Sequence, residues 1–289
     1  MATPTLPAGF NPVQAGPFVA GAYNGQKVEA FNMKATPVTN AEYGALATSL
    51  GQDRFVLLKH DFQNGETTFV RNGATAEAAA AEVVFTPDDE INFDQGDVMI
   101  MGSMILVKMV DNPSVKYDKQ KRIFSGADQP AVGVTYFHAK AWCLLKSLEN
   151  GGEYKYDLPT DLQYEYVASD RGTKIYGTAT GTLSKDGRKL AHIDERNGEN
   201  GTTVSVNDPR YVQYLPFGIQ TIGNVYRWIK FNSAFKQSNN FFWGPYGLRG
   251  GAWDDIPDRG RAAFRLNLHP DSRDYSVGFS PVVVRSDSK

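Results

Sequence analysis

The chain has 289 residues, of which 41% are hydrophobic, and a formal net charge of −2 at pH 7. A chain of this size can bury a sizeable core in one large or two ordinary domains. The nearly balanced charge gives no electrostatic reason to expect binding to nucleic acid or to a membrane surface. The single cysteine, Cys143, is too little for an intramolecular disulfide or for a thiolate metal cluster within one chain.

Residues 1–30 are rich in proline, glycine and alanine. We expect an extended arm that packs on the domain or on a partner, with a disordered tail as the alternative. The arm lacks the basic and continuous apolar regions of a secretory signal, and no stretch of the chain has the roughly 18–20 apolar residues of a membrane span. The sequence therefore predicts synthesis in a cytoplasm without membrane insertion. It leaves open use on a virus or phage particle, or export by another route.

Residues 31–50 predict a strand followed by a helix. The strand ends near Thr36, and Thr39 or Asn40 is placed to cap a helix that runs to about Leu50.

Two more helices are predicted by their N-caps. Thr135 precedes apolar residues at helical spacing, and Thr160 begins a capping box that Gln163 completes. Cys143 falls on the first of these helices beside Trp142, where we expect a small buried apolar residue rather than a reactive thiol.

The stretch Tyr246–Phe279 combines two kinds of position. Some look fixed, and others lie between them with neither helical nor strand periodicity. This pattern indicates a looping surface held by a glycine- and arginine-rich framework, and such surfaces often carry function. The framework positions are Arg249, Gly250, Gly251, Trp253, Arg261, Arg265, Arg273, Gly278 and Phe279.

Several motifs of the chain, in this order, resemble those of the formylglycine-generating-enzyme/sulfatase-modifying family. They are VTNAEY at 38–43, LPTDLQYEYVA at 158–168, FGI and IGNVYRW at 217–228, RGGAW at 249–253, and then R-x-A-x-R, P-x-x-R and GF. The resemblance covers residues 31–50 and 112–284. It implies an α+β, C-type lectin fold over residues 31–289, with a loop-rich mixed β-sheet and two or more flanking helices.

Residues 51–108 have no counterpart in that resemblance. Segments 67–70 and 83–85 are strand-like, and 98–110 is typical of a buried strand or hairpin. We expect a β-rich insertion, with a separate small domain as the alternative.

The C-terminal stretch resembles more closely the variable region of proteins diversified by diversity-generating retroelements, which display it on the same fold. The resemblance implies that residues 246–280 bind a protein or glycan. The implied variable positions are Asp254, Asp255, Asp258, Gly260, Ala262, Phe264, Leu266, Leu268, His269, Asp274 and Tyr275, with Trp243 and Tyr246 as rim residues. An alternative is that Phe264, Leu266 and Leu268 are strand residues that face the core.

The composition of this region fits that interpretation. Between Gly250 and Ser276 there is no Lys, Glu, Gln or Met. Mutagenesis of the adenines in AAC and AAT codons cannot produce these four residues while the third base stays a pyrimidine. Binding loops also favour mixtures of aromatic and small polar residues.

Enzymatic chemistry is not expected. The oxidase branch of the family needs cysteines just after the RGG motif, and residues 252–258 contain none. No two histidines are close enough in sequence to suggest a chelating pair. The four histidines are His60, His138, His192 and His269.

Family members often bind calcium near the GNVWEW strand, whose acidic position is Arg227 here. Calcium needs several hard oxygen ligands, so we expect no cofactor at that position. The nearby Asp194, Glu195 and Asn197 could form a loop site, but a solvated polar loop is the expected structure.

Two alternatives to the display function remain. One is an oxidoreductase like the formylglycine-generating enzymes with unrecognised chemistry. The other is a structural or assembly module that uses the N-terminal arm and the 51–108 insertion as contacts.

Overall fold

The computed structural model describes residues 6–51, 54–73, 97–110, 124–194, 201–212, 215–230 and 246–286. The predicted rim residue Trp243 and the strand-like segment 83–85 lie outside these ranges, as do Glu195 and Asn197. No helix within the described ranges is both long enough and apolar enough to cross a bilayer.

Short strands and a few helices alternate along the chain. The strands are β1 (Phe10–Val13), β2 (Gly16–Pro17), β3 (Lys27–Val28), β4 (Phe31–Lys34), β5 (Phe55–His60), β6 (Thr67–Gly73), β7 (Val98–Met101), β8 (Met104–Lys108), β9 (Tyr154–Asp157), β10 (Ser184–Lys185), β11 (Arg188–Lys189), β12 (Tyr226–Trp228), β13 (Gly247–Arg249), β14 (Leu266–Asn267), β15 (Val277–Gly278) and β16 (Val282–Arg285). The helices are α1 (Asn40–Ser49), α2 (Tyr136–Glu149), α3 (Asp161–Ala168) and α4 (Pro209–Val212), with 3₁₀ turns at Pro216–Gly218 and Pro257–Gly260.

The N-cap predictions for the first three helices are confirmed. Thr39 caps α1 in a capping box with Glu42, and Thr160 caps α3 in a capping box with Gln163. The side chain of Thr135 accepts from the backbone N–H of His138 at the start of α2. Each cap satisfies a backbone donor that the helix itself leaves without a partner.

The N-terminal arm packs on the domain over its described residues. β1 pairs antiparallel with β4, and β4 pairs with the C-terminal strand β16, which in turn pairs with β9. Phe18 and Val28, on either side of the arm's turn, are buried. Strands from both ends of the chain therefore belong to one four-stranded sheet.

Residues 51–108, which we call the insertion, contribute a four-stranded antiparallel sheet in the order β6-β5-β8-β7. The expected strand at 67–70 and the hairpin within 98–110 are confirmed. Val56, Leu58, Ile105 and Val107 are fully buried and belong to the main hydrophobic core.

A third sheet, in the order β14-β13-β12-β15, positions the C-terminal stretch. β12 pairs antiparallel with β13 and parallel with β15. This register places Arg227 opposite both Arg249 and Gly278. The aromatic neighbours of Arg227 in β12, Tyr226 and Trp228, are buried, and the Trp228 Nε1 donates to the Val134 carbonyl at 3.0 Å.

Docking of the N-terminal arm on the turn after α3 depends on Gly172. This glycine has a φ of +91°, and a Cβ added there would lie 2.0 Å from the carbonyl oxygen of Ala20. Gly187, in the β10–β11 turn, has a φ of +74° but would place its Cβ in open space.

We expect Gly172→Ala to lower the free energy of unfolding by about 2–4 kcal/mol, because the substitution adds a backbone clash to the cost of a positive φ. Gly187→Ala should cost only about 1 kcal/mol, since it carries the dihedral cost alone. Denaturant unfolding of both variants measures the difference. Equal losses would contradict the close packing of the arm on the domain.

Candidate ligand-binding surface

The stretch from β13 to β15 consists mainly of loops. It runs through the Gly250-Gly251 turn, the 3₁₀ turn Pro257–Gly260 and the short strand β14. Backbone hydrogen bonds tie it to neighbouring segments, such as the Ala262 N–H to the Ile175 carbonyl at 2.7 Å and the Tyr136 N–H to the Pro270 carbonyl at 3.0 Å.

Arg249 lies at the centre of this region, with no exposed side-chain surface. Its Nε donates to Asp161 Oδ1 at 2.7 Å, and its Nη2 donates to Glu165 Oε2 at 2.6 Å. Its Nη1 donates to the carbonyls of Ala262 and Phe264. One guanidinium thus joins helix α3 to the backbone of the C-terminal loop.

Arg265 reaches the same two carboxylates from the loop itself. Its Nη2 donates to Asp161 at 2.9 Å and to Glu165 at 3.0 Å, and also to the hydroxyl of Tyr23. The Tyr23 hydroxyl in turn donates to Asp161 at 2.9 Å. We call Arg249, Arg265, Asp161 and Glu165 the arginine–carboxylate cluster; its two positive and two negative charges balance.

The other framework arginines differ in what they hold. Arg273 donates to the Gly133 carbonyl at 3.0 Å and lies 3.4 Å from the buried carboxylate of Asp97. Arg261 instead is exposed and pairs with the equally exposed Asp258. Of these two arginines, only Arg273 ties the loop to another part of the fold through an ion pair.

The Gly250-Gly251 turn needs both of its glycines. Gly250 has a φ of +99°, and a Cβ there would lie 2.5 Å from the Tyr164 hydroxyl and 2.6 Å from the Thr221 carbonyl oxygen. Gly251 has a φ of +67° and packs against the backbone of Gly260. Close backbone approach of this kind excludes any larger residue.

Eight of the predicted variable positions have side chains that are exposed or half-buried. Asp258, His269 and Tyr275 are exposed, and the other five are half-buried. Phe264, Leu266 and Leu268 use their buried sides to pack against the main core, so the core-facing alternative is partly right for them. We call these eight positions the outward set: Asp254, Asp258, Phe264, Leu266, Leu268, His269, Asp274 and Tyr275.

For Asp255, Gly260 and Ala262 the expected exposure is wrong. The carboxylate of Asp255 is buried, accepting from the Ala252 N–H at 3.2 Å and from Arg259 at 2.9 Å. Ala262 packs in a core cluster.

Gly260 is buried because the chain packs against isoleucine side chains there. A Cβ on this glycine would lie 2.8 Å from Cδ1 of Ile193 and 3.1 Å from Cδ1 of Ile222. A small residue is therefore required at this position.

Tyr246, predicted as a rim residue, is also buried. Its hydroxyl lies 2.8 Å from Nε2 of His60, whose Nδ1 lies 2.8 Å from the Thr67 hydroxyl. Burial, with a smaller effect of the Lys140 ammonium, lowers the pKa of His60 to about 4. At neutral pH His60 is therefore an uncharged link between the insertion and β13.

Tyr275 has the most extensive aromatic contacts within the outward set. Its ring stacks on Phe124 at 5.6 Å and lies 6.1 Å from the fully buried Trp253. A ring held in this way loses little conformational entropy on binding, which suits an interface anchor.

Cys143 and His138 are enclosed. Burial raises the pKa of the Cys143 thiol well above its usual range, which disfavours the nucleophilic thiolate. His138 is fully buried, between the Thr135 hydroxyl and the Lys108 carbonyl. Within the described ranges no three or more His, Cys, Asp or Glu side chains are arranged to hold a metal ion.

Arg227 occupies the position where the family resemblance would place a calcium ligand. Its side chain is fully buried, and its Nη1 donates to the carbonyls of Gly223 at 2.9 Å and Val225 at 2.6 Å. These oxygens face a fixed positive charge, which would repel a second cation, so the residues here do not fit a calcium ion.

Asp161 and Glu165, which anchor the framework, were not singled out from the sequence. Both lie in the LPTDLQYEYVA helix, 84–104 positions from the arginines that they bind. Two acidic residues four apart on a helix that is otherwise rich in apolar residues were the available signal, since buried carboxylates need cationic partners.

The Asp161 carboxylate is held in its charged form. Burial alone would raise its pKa, but the Arg249 guanidinium and the hydrogen bonds from Arg265 outweigh burial, so the pKa of Asp161 lies below its usual range. A depressed carboxylate pKa stabilises the fold above the unfolded-state pKa of about 4. This stability is lost as the pH falls through the folded-state pKa.

We expect Asp161→Asn to lower the free energy of unfolding by about 3–5 kcal/mol at pH 7, because it leaves the two guanidinium groups of Arg249 and Arg265 with Glu165 as their one shared carboxylate. As the pH falls below about 5, the free energy of unfolding should also decrease less in this variant than in the parent protein, because the variant lacks the Asp161 carboxylate that becomes protonated. Asp258→Asn, which removes only an exposed ion pair, should cost less than about 1 kcal/mol. Urea unfolding across pH checks both values, and similar costs for the two variants would refute the importance of the cluster.

The family model of the sulfatase-modifying factor enzyme 1-like domain matches residues 5–285 of the chain. Comparison with curated protein sequences gave no match.

Solved structures share the fold at low identity. PvdO from Pseudomonas aeruginosa is 17% identical with a TM-score of 0.53, over 95% of this chain and 93% of that one. CarF is 17% identical with a TM-score of 0.57, over 97% and 99% of the two chains. Treponema denticola variable protein 1 is 14% identical with a TM-score of 0.53, over 96% and 95%.

Proposed function

The chain belongs to the sulfatase-modifying factor enzyme 1-like family and has its α+β, C-type lectin fold, and from this premise we propose that residues 246–280 are a ligand-binding surface that performs no chemistry. The surface recognises a protein or a glycan through the outward set. Retroelement mutagenesis diversifies these positions, while the framework keeps the shape of the loop.

The arginine–carboxylate cluster is the observation that carries this proposal. Arg249 binds the backbone carbonyls of Ala262 and Phe264, which lie between the outward residues Asp258 and Leu266, and neither bond involves an outward side chain. Because backbone carbonyls are present whatever the side chain, exchange at these positions leaves the bonds intact. A loop fixed through its backbone suits a surface whose side chains vary.

The composition of the outward set suits recognition. It combines aromatic and aliphatic groups, such as Tyr275 and Leu268, with short acidic side chains and a histidine. Aromatic anchors surrounded by adaptable polar residues are typical of binding loops. All of these residue types are reachable from AAC or AAT codons by adenine mutagenesis, and a structural neighbour is itself named a variable protein.

The absence of enzymatic activity is part of the same proposal. Cys143 is enclosed, and His60, which contacts Tyr246, is neutral and engaged at both ring nitrogens. The exposed His269 pairs with Asp271 on the surface, which suits a contact with a ligand.

The genome offers a direct test of diversification. We expect a near-copy of the DNA for residues 250–280 beside a reverse-transcriptase gene, differing from the coding sequence at adenines. The differences should fall mainly in codons of the outward set. The idea of retroelement diversification fails if no such copy exists, or if the differences fall mainly in framework codons.

Stability measurements test the division between outward and inward positions. Asp258→Ala and His269→Ala should each change the free energy of unfolding by no more than about 0.5 kcal/mol, as surface substitutions usually do. Asp255→Ala should cost about 1–3 kcal/mol, because it leaves the buried Ala252 N–H without its acceptor.

Chemical denaturation of the three variants, with circular dichroism to check the fold, gives these values. A loss at Asp258 or His269 as large as that at Asp255 would mean that outward side chains hold the loop, contrary to the proposal.

A further inference from the structure

A cleft lies away from the C-terminal surface, where the insertion meets helix α2 and the sheet of β9 and β16. Its volume is about 540 Å³, which falls within the usual range of ligand pockets, about 300–1,000 Å³. No residue of the 246–280 region lines it. The cleft is therefore independent of the proposed function.

One wall of the cleft is apolar and open to solvent. Leu144 and Leu148 lie one turn apart on α2, and Val284 belongs to β16. Leu148 is 53% exposed and Val284 is 42% exposed. Phe69 of β6 adds a half-buried ring from the insertion.

The charged groups of the cleft are mainly positive. Lys140, Lys155 and Lys230 line it together with a single carboxylate, Asp157. The Lys140 ammonium, almost fully buried, bonds to Asp157 Oδ1, and the half-exposed Lys230 ammonium lies 3.1 Å from Asp157 Oδ2. Three ammonium groups against one carboxylate leave a surplus of positive charge.

The surplus lies next to the apolar wall. Lys155 is exposed and stands directly opposite Val284 in the antiparallel register of β9 and β16. Lys140 and Leu144 are one helical turn apart on α2. An apolar group and an anionic group of one small molecule can therefore be bound side by side.

We propose that this cleft binds a small amphipathic carboxylate. Its alkyl chain lies against Leu144, Leu148 and Val284, and its carboxylate lies between the ammonium groups of Lys155 and Lys230. The Lys140–Asp157 pair forms the polar base of the site. A neutral alkyl molecule leaves the ammonium groups unused, and a small anion leaves the apolar wall in water.

Octanoate is a suitable probe, with 1-octanol and acetate as the neutral and the chain-free comparisons. NMR chemical-shift titration of the labelled full chain should show octanoate binding at the cleft at least about tenfold more tightly than either comparison compound. The double variant Lys155→Gln/Lys230→Gln should weaken octanoate binding about five- to tenfold. Leu148→Ser should weaken it about threefold.

Lys185→Gln is the matched control, since Lys185 is exposed on β10 and lies outside the cleft. It should leave octanoate affinity unchanged, and unchanged melting temperatures show that each variant is folded. The proposal is overturned if octanoate does not bind, or if its shifts map outside the cleft. Equal affinity for 1-octanol or for acetate would overturn it too, as would full affinity of the double lysine variant.

Discussion

The buried contact of Arg249 with Asp161 and Glu165 is the constraint on which the C-terminal loop, residues 246–280, depends. An unpaired guanidinium inside the protein would be costly, so the loop can adopt its conformation only while α3 presents both carboxylates. Such a cluster is weak evidence for high stability, because desolvation offsets much of the attraction. The cluster contributes a defined geometry instead. The planar guanidinium of Arg249 carries five N–H donors in a rigid arrangement, and it binds two carboxylates and two carbonyls at the same time.

The rest of the fold supports that cluster. The capping box at Thr160 fixes the first turn of α3, which carries Asp161. Tyr23, from the N-terminal arm, adds a hydroxyl that accepts from Arg265 and donates to Asp161. The arm and α3 thus meet the C-terminal loop at one point. Tyr23 of the arm and Arg265 of the loop are 242 residues apart in sequence. The insertion joins the same core through His60, whose imidazole contacts Tyr246 beside β13.

Local sequence signals predicted local structure well. Thr39, Thr135 and Thr160 marked helix starts because a cap depends on residues three positions away. Which side chains of the loop point inward could not be predicted in the same way. A segment without hydrophobic periodicity does not indicate which of its side chains are buried and which are exposed. Asp255 points inward because Arg259 and the Ala252 N–H bind its carboxylate. Gly260 is enclosed by Ile193 and Ile222, which belong to two other segments of the chain. The partners of Arg249 were equally distant, so the arginines predicted a framework but not what they bind.

The central claim is that backbone contacts, rather than outward side chains, determine the shape of residues 246–280. Crystal structures of two variants, each with a different replacement at all eight positions of the outward set, test it most directly. The account predicts that the backbone of residues 246–280 superposes within about 1 Å in both, as pre-organised binding surfaces usually do, with the bonds of Arg249 to Asp161 and Glu165 intact. A loop that takes a different path in either variant, or a broken arginine–carboxylate cluster, would contradict it.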